Sequence, residues 1–248
     1  MQTFKLNTRL VIACYMIVIM RVTAQEVPDG SLLYKTNNVT LTYQKAIYKN
    51  KVIYNAKKEL DGLQKEDSSI TFDIFYTPLS LVGSILSYEK NTYAFPQGGY
   101  SVQNSYIQTI NLKTQKPYSI LNLVDETSLL KALKNDAYIN TLKNIDLQKL
   151  KACKSFIKAL KILNKPLHKT NHFTLYSFAI LNYTPNKNKV LIRLIRTVPR
   201  STTLTEYLQL GLEVTPRTNF KEKLKNNTSF FLGTYKRGRL ASQSFYKK

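Results

Sequence analysis

Cysteine, histidine and acidic residues are scarce in this 248-residue chain, and each shortage closes off a class of chemistry. There are two cysteines, Cys14 and Cys153, and Cys14 falls in the N-terminal segment considered below. One remaining thiol cannot form an internal disulfide, so packing must hold the fold, and Cys153 reads as a small buried hydrophobe, not a nucleophile. The two histidines, His168 and His172, follow the break at Pro166. A spacing of four suits a metal pair only on a helix, and no acidic or cysteine partner is near, so they read as loop residues. Asp125-Glu126 is explained by helix capping before acid/base work. Among the eight glycines, Gly98-Gly99 lacks the spacing and the following helix of a phosphate loop, and no Gly-x-Ser-x-Gly signature occurs. Neither a catalytic site, nor a metal, nor a cofactor is expected. Fifteen carboxylates are too few to build an acidic patch for a cationic protein partner. The apolar run Leu10 to Met20 is about half the length that spans a bilayer, which argues against a permanent transmembrane anchor.

That run has another use. Lys5 and Arg9 precede it, and Val22-Thr23-Ala24 follows with small or modest side chains ahead of Gln25, the three parts of a cleavable signal peptide over residues 1–24. An uncleaved run and a lipoprotein box at Val11-Ile12-Ala13-Cys14 are the two other readings. Cleavage removes three of the 37 basic residues and none of the 15 acidic ones, leaving a formal charge of +19 on a secreted or periplasmic chain. Such a surface attracts polyanions. Outside the cytoplasm, nucleic acid is a poor partner; anionic lipids, cell-wall polymers and lipopolysaccharide are better ones. An amino-acid bias toward Lys, Asn and Tyr would give the same charge with no function attached.

Patterning divides the mature chain into an N-terminal segment (25–69), an α+β core domain (70–212) and a basic C-terminal tail (213–248). Ile70, Phe72, Ile74 and Tyr76 alternate with polar neighbours in a half-buried strand, which Pro78 is expected to end. Leu79 to Lys90 and Tyr100 to Leu112 read as two further strands, with turns at Pro96-Gln97-Gly98-Gly99 and Lys113-Thr114-Gln115-Lys116. Such short links make an antiparallel meander. Asp125 caps a helix through Leu129, Leu130 and Leu133, and Asp146 opens a longer one to about Leu163. On that helix Leu150, Cys153, Phe156, Ile157 and Leu160 gather on one side, while Lys151, Lys154, Lys158 and Lys161 line the opposite stripe, an anion-docking candidate or a solvated face. Phe173 to Tyr183 and Val190 to Thr197 form a hairpin, and Thr202-Thr203 is expected to cap a short helix through Leu204 and Leu208. From Glu213 onward nine Lys or Arg face two Glu in a basic tail, whose last turns, Lys236-Arg237-Gly238-Arg239, read as a mobile basic end. The predicted fold is an antiparallel sheet of about five strands packed by two or three helices. Tryptophan is absent, but 17 Tyr and 11 Phe are present. Of these, Tyr88, Tyr93, Tyr100 and Tyr106 surround the glycine turn as candidates for stacking on sugar rings or for filling the edge of the core.

The segment from Leu81 to Leu133 carries an ordered set of features. Ser87-Tyr88-Glu89-Lys90-Asn91-Thr92-Tyr93 ends a strand in an aromatic, Gly98-Gly99 makes a turn, and Tyr106 to Leu112 makes a strand. Lys113-Thr114-Gln115-Lys116 then turns into the Leu-rich entry Ile120-Leu121-Asn122-Leu123-Val124-Asp125. In this it resembles a bacterial extracytoplasmic domain of undefined role, shared by a lysozyme-sensing anti-sigma factor and the non-catalytic part of a peptidoglycan deacetylase. The family follows its glycines with Ala-His-Pro where this chain has Tyr100-Ser101-Val102, and Gln115 stands where the family has Gly. The resemblance implies a mixed α/β fold and an exported binding or sensing module without catalysis. Composition and resemblance together lead to the expectation of a binding module for an anionic or glycan component of the cell envelope. A secreted hydrolase assembled around His168 and His172, and a sensor or inhibitor that binds a protein partner, are the alternatives.

Overall fold

The structure, a computed structural model, describes residues 32–99, 102–136, 139–142, 145–165, 172–199, 205–226, 228–230 and 239–240. The predicted signal peptide, Tyr100, His168 and the helix-capping pair Thr202-Thr203 lie outside them. No helix among the described residues is long and apolar enough to cross a membrane.

Mixed helices and mainly antiparallel strands bear out the α+β class, but three sheets replace the single sheet expected. The middle one is a meander of β5 (Ile70–Val82), β6 (Ile85–Pro96) and β7 (Val102–Asn111), extended by β8 (Lys116–Pro117) and β12 (Thr228–Phe230). Pro78 does not end β5. The ladder passes from Pro78↔Tyr88 to Ser80↔Ser87, so Leu79 is an extra residue in a bulge, where a proline without an N–H is tolerated. The strand instead reverses at Gly83-Ser84, a two-residue loop closed by Val82↔Ile85, with Gly83 at φ 59° as a hairpin of this kind requires. The bulge also exchanges faces: Leu81 joins Ile74 and Tyr76 on one side, and Val82 goes to the other.

On the first side sits a small sheet, β1 (Leu32–Lys35), β2 (Val39–Thr42), β3 (Lys45–Tyr48) and β4 (Lys51–Asn55), with helix α1 (Ala56–Glu66). Lys49 and Asn50, both with positive φ, turn β3 into β4. Val39, Leu41, Ala46, Tyr48 and Tyr54 pack there on Ile74, Tyr76, Leu81, Leu86, Ile110 and Leu112. On the second side lies the sheet of β9 (Phe178–Thr184), β10 (Lys189–Pro199), β11 (Thr205–Val214) and β13 (Arg239–Leu240). Buried hydroxyls join it to the middle sheet: Thr109 Oγ1 donates to Phe178 O at 2.7 Å, and the Ile180 amide donates to Ser80 Oγ at 3.1 Å.

Helices α2 (Glu126–Lys134), α3 (Leu147–Ala152), α4 (Phe156–Asn164) and α5 (Thr218–Asn226) complete that side. Three expectations fail here. The segment after Thr202-Thr203 is a strand, β11, paired along its length with β10, and Leu210, Leu212 and Val214 bury one alternating face of it. The helix expected from Asp146 to about Leu163 is two helices. The tail expected from Glu213 begins inside β11, and α5 buries Phe220 and Leu224 in the core. Arg217 Nε donates to Leu121 O and Val124 O, so one of the tail's charges is structural.

Candidate functional site

The lysine-rich segment folds as a helical hairpin. Asp146 caps α3, accepting from the Lys149 amide at 2.9 Å. At Cys153 the backbone becomes extended (ψ 139°), and Ser155 (φ −135°) precedes a new start at Phe156. Two side chains of α2 secure the break. Lys134 Nζ donates to Cys153 O at 2.6 Å, and Glu126 Oε1 accepts from Ser155 Oγ (3.0 Å) and the Phe156 amide (2.9 Å). Glu126 was expected to serve only its own helix. Asp125 does cap α2 as expected, through the Ser128 amide at 2.7 Å.

Restarting the helix changes its phase. Phe156, Ala159, Leu160 and Leu163 become the buried set, and Ile157, expected in the core, is 40% exposed beside Lys161. Lys151, Lys154, Lys158 and Lys161 are all exposed, but they belong to α3, the link and α4 in turn, not to one stripe. Lys165, exposed four residues beyond Lys161, joins them; its i+4 spacing was the signal to include it. The backbone and side-chain hydrogen bonds from Lys149, and least of all the charge of Lys165, hold the Asp146 carboxyl below its usual range. Lys149 pairs with Asp146 at 2.9 Å and its own pKa is raised. Among the described residues, none of the four predicted lysines has a carboxylate within 4.0 Å.

The predicted aromatic group is divided by strand parity. Tyr88 and Tyr106 share the face that bears the small sheet; Tyr93, an odd number of residues from Tyr88 in a ladder without a bulge in β6, points to the other. There Tyr93 lies parallel to Phe75 and Phe95, with centroids 5.7 and 6.3 Å away. Tyr88 packs against Tyr54 and Tyr76, whose rings stack at 4.0 Å, and its hydroxyl donates to Gln108 Oε1 at 2.8 Å. Burial, then Tyr106 and Glu59, push the Tyr88 phenol up to about 12. Burial likewise raises Tyr54 and Tyr76, and Tyr76 also donates to Glu59, which is paired with Lys90. Tyr106 remains 54% exposed. Cys153 is half-buried, its thiol directed at Lys149 O, as suits a packing residue. Among the described residues, no group of three His, Cys, Asp or Glu could hold a metal.

The chain matches no protein-family model and no curated protein sequence.

Proposed function

We propose that this protein is a non-catalytic module that binds an anionic polymer of the cell envelope, outside the cytoplasm, through the α3–α4 hairpin. One observation carries the reading: Lys151, Lys154, Lys158 and Lys161 project from a hairpin whose other side is anchored by Leu150, Phe156, Leu160 and Leu163, and no carboxylate among the described residues neutralises them. An anchored set of cations loses little conformational freedom on meeting a polyanion, beyond that of the side chains themselves. The signal-like N-terminus and the net positive charge support the location and the sign of the ligand.

The test compares two fourfold variants on an immobilised poly(glycerol phosphate). Lysines held at an anionic surface contribute about 1 kcal/mol each, so changing the hairpin four to Gln is expected to weaken binding about a hundredfold or more. Changing Lys45, Lys51, Lys57 and Lys65, all exposed on the small sheet and α1, is expected to cost far less. Binding by the parent protein should also fade as salt rises from about 0.1 to about 1 M, as the screening length shrinks from about 10 to about 3 Å. Equal losses from the two variants would show that net charge does the binding and overturn the assignment to the hairpin.

A further inference from the structure

The middle sheet offers a second and independent feature on β6 and β7. Ladder pairs Tyr88↔Gln108 and Lys90↔Tyr106 put four side chains in one square on the face that bears the small sheet. Directly opposed residues have Cβ atoms about 4.5–5.5 Å apart, so the four act as one surface. Each of them has a defined state. The Tyr88 hydroxyl donates to Gln108 Oε1, so the Gln108 oxygen is engaged while its amide nitrogen keeps two N–H donors. Lys90 Nζ is held by Glu59, and the side chains of that pair remain 31% and 35% exposed. Tyr106 is more than half exposed and makes no hydrogen bond among the described residues. The next pair along the strands, Thr92↔Asn104, continues the polar lining, with Asn104 exposed.

From this arrangement we infer that Tyr106, Gln108 and Lys90 form a subsite for a neutral pyranose ring of a glycan chain lying along the strands. A pyranose has an apolar face of C–H groups and a rim of hydroxyls. It needs one exposed aromatic surface bordered by fixed donors and acceptors, and Tyr joins such a surface to a hydroxyl. Gln108 supplies donors, Glu59 has lone pairs to accept, and Lys90 has protons left to donate. Because Lys90 and Glu59 cancel each other's charge, the square favours a neutral sugar over a carboxylated one. A protein partner fits less well, since the cores of protein interfaces are depleted in charged residues and this square has an ion pair at its border. The ring is not needed for the fold, because more than half of its surface already meets water.

Chitohexaose and cellohexaose are the probes, titrated into the full chain and followed by calorimetry. The absence of tryptophan leaves tyrosine emission as a second reporter. The parent protein is expected to bind at least one of the two. Tyr106→Ala should fold normally and weaken that binding about tenfold or more, as expected for loss of an aromatic contact and its buried area, while Tyr106→Phe stays within about threefold. The fourfold Lys→Gln hairpin variant should bind the hexasaccharide as the parent does, and Tyr106→Ala should bind poly(glycerol phosphate) as the parent does. The two assignments therefore fail separately. No binding of either sugar by the parent, equal binding by Tyr106→Ala, or loss of sugar binding in the hairpin variant would each overturn the subsite.

Discussion

The two faces of the middle sheet are closed by different chemistry. On the helical side the interior is nearly all aliphatic and phenylalanine: Leu129, Leu133, Leu150, Phe156, Phe178, Ile192 and Phe220 are among its buried members. On the small-sheet side, Tyr48, Tyr54 and Tyr76 take a large share of the interior, with Tyr88 at its edge and Glu59 and Lys90 beside it. Burying a methyl group asks only for volume, whereas burying a phenol also asks for a partner for its hydroxyl. Tyr54 meets that demand by donating to Thr42 O at 2.7 Å, Tyr76 with Glu59, and Tyr88 with Gln108. The aliphatic side should therefore respond chiefly to lost volume, and the tyrosine side should also respond to alkaline pH.

The largest effect expected is on the aliphatic side. Phe156 is fully buried, and Phe156→Ala removes a ring from a close-packed site that can collapse only in part, at a cost of about 3–5 kcal/mol. Denaturant unfolding at neutral pH measures it, and a cost below about 1 kcal/mol would mean that the α3–α4 hairpin is not anchored by this ring. Phe156→Leu should recover much of the loss, because volume is what the site needs.

Alkaline titration should reveal the tyrosine side. The Tyr88 phenol is raised to about 12, and Tyr54 and Tyr76 are raised too. A folded state that keeps its phenolic protons while the unfolded chain releases them is stabilised in full below the free-tyrosine pKa of about 10. That contribution is lost as pH rises through about 12. Followed by tyrosinate absorbance and circular dichroism together, Tyr54, Tyr76 and Tyr88 should titrate late and with unfolding. If all titrate together near 10 while the structure persists, the contrast between the faces is wrong.

The meander was readable because β5, β6 and β7 alternate with period two and are joined by short turns. Pro78 misled, since a bulge in a thirteen-residue strand leaves no local mark other than the proline itself. β11 was hidden because Thr202-Thr203 looks like a cap and Leu204, Tyr207 and Leu208 fit a helical period over so short a span; tertiary pairing with β10 overrode it. The four exposed lysines, Lys151, Lys154, Lys158 and Lys161, were found as residues but not as a shape. Ser155 ahead of Phe156 is an N-terminal helix signal inside an apparently continuous helix, and the hairpin follows from it. The Tyr88–Tyr106 square could be anticipated only with the register of β6 on β7, which tells apart the two faces that composition merges.

The smallest effect concerns the contact that makes the hairpin. Ser155 stands at the cap position of α4, but its side chain makes no capping bond to its own helix. Glu126 caps from α2 instead, its Oε1 accepting from the Phe156 amide and from Ser155 Oγ. A carboxylate there satisfies one of the unpaired amides of the first turn and faces the positive end of the helix dipole. Losing a cap costs about 1 kcal/mol, so Glu126→Ala should destabilise by about that much, and Glu126→Gln by less because an amide oxygen can still accept. If the carboxylate acts through Ser155 as well as through the backbone, Ser155→Ala should have a smaller effect in the Glu126→Ala background than in the parent, and a double-mutant cycle reads that coupling directly. Hydrogen exchange should quicken for the first turn of α4, Phe156 to Ala159, before it changes in α2. An unchanged first turn would mean that packing of Phe156 alone sets where the second helix begins, and that the aliphatic side of the sheet has no polar keystone of its own.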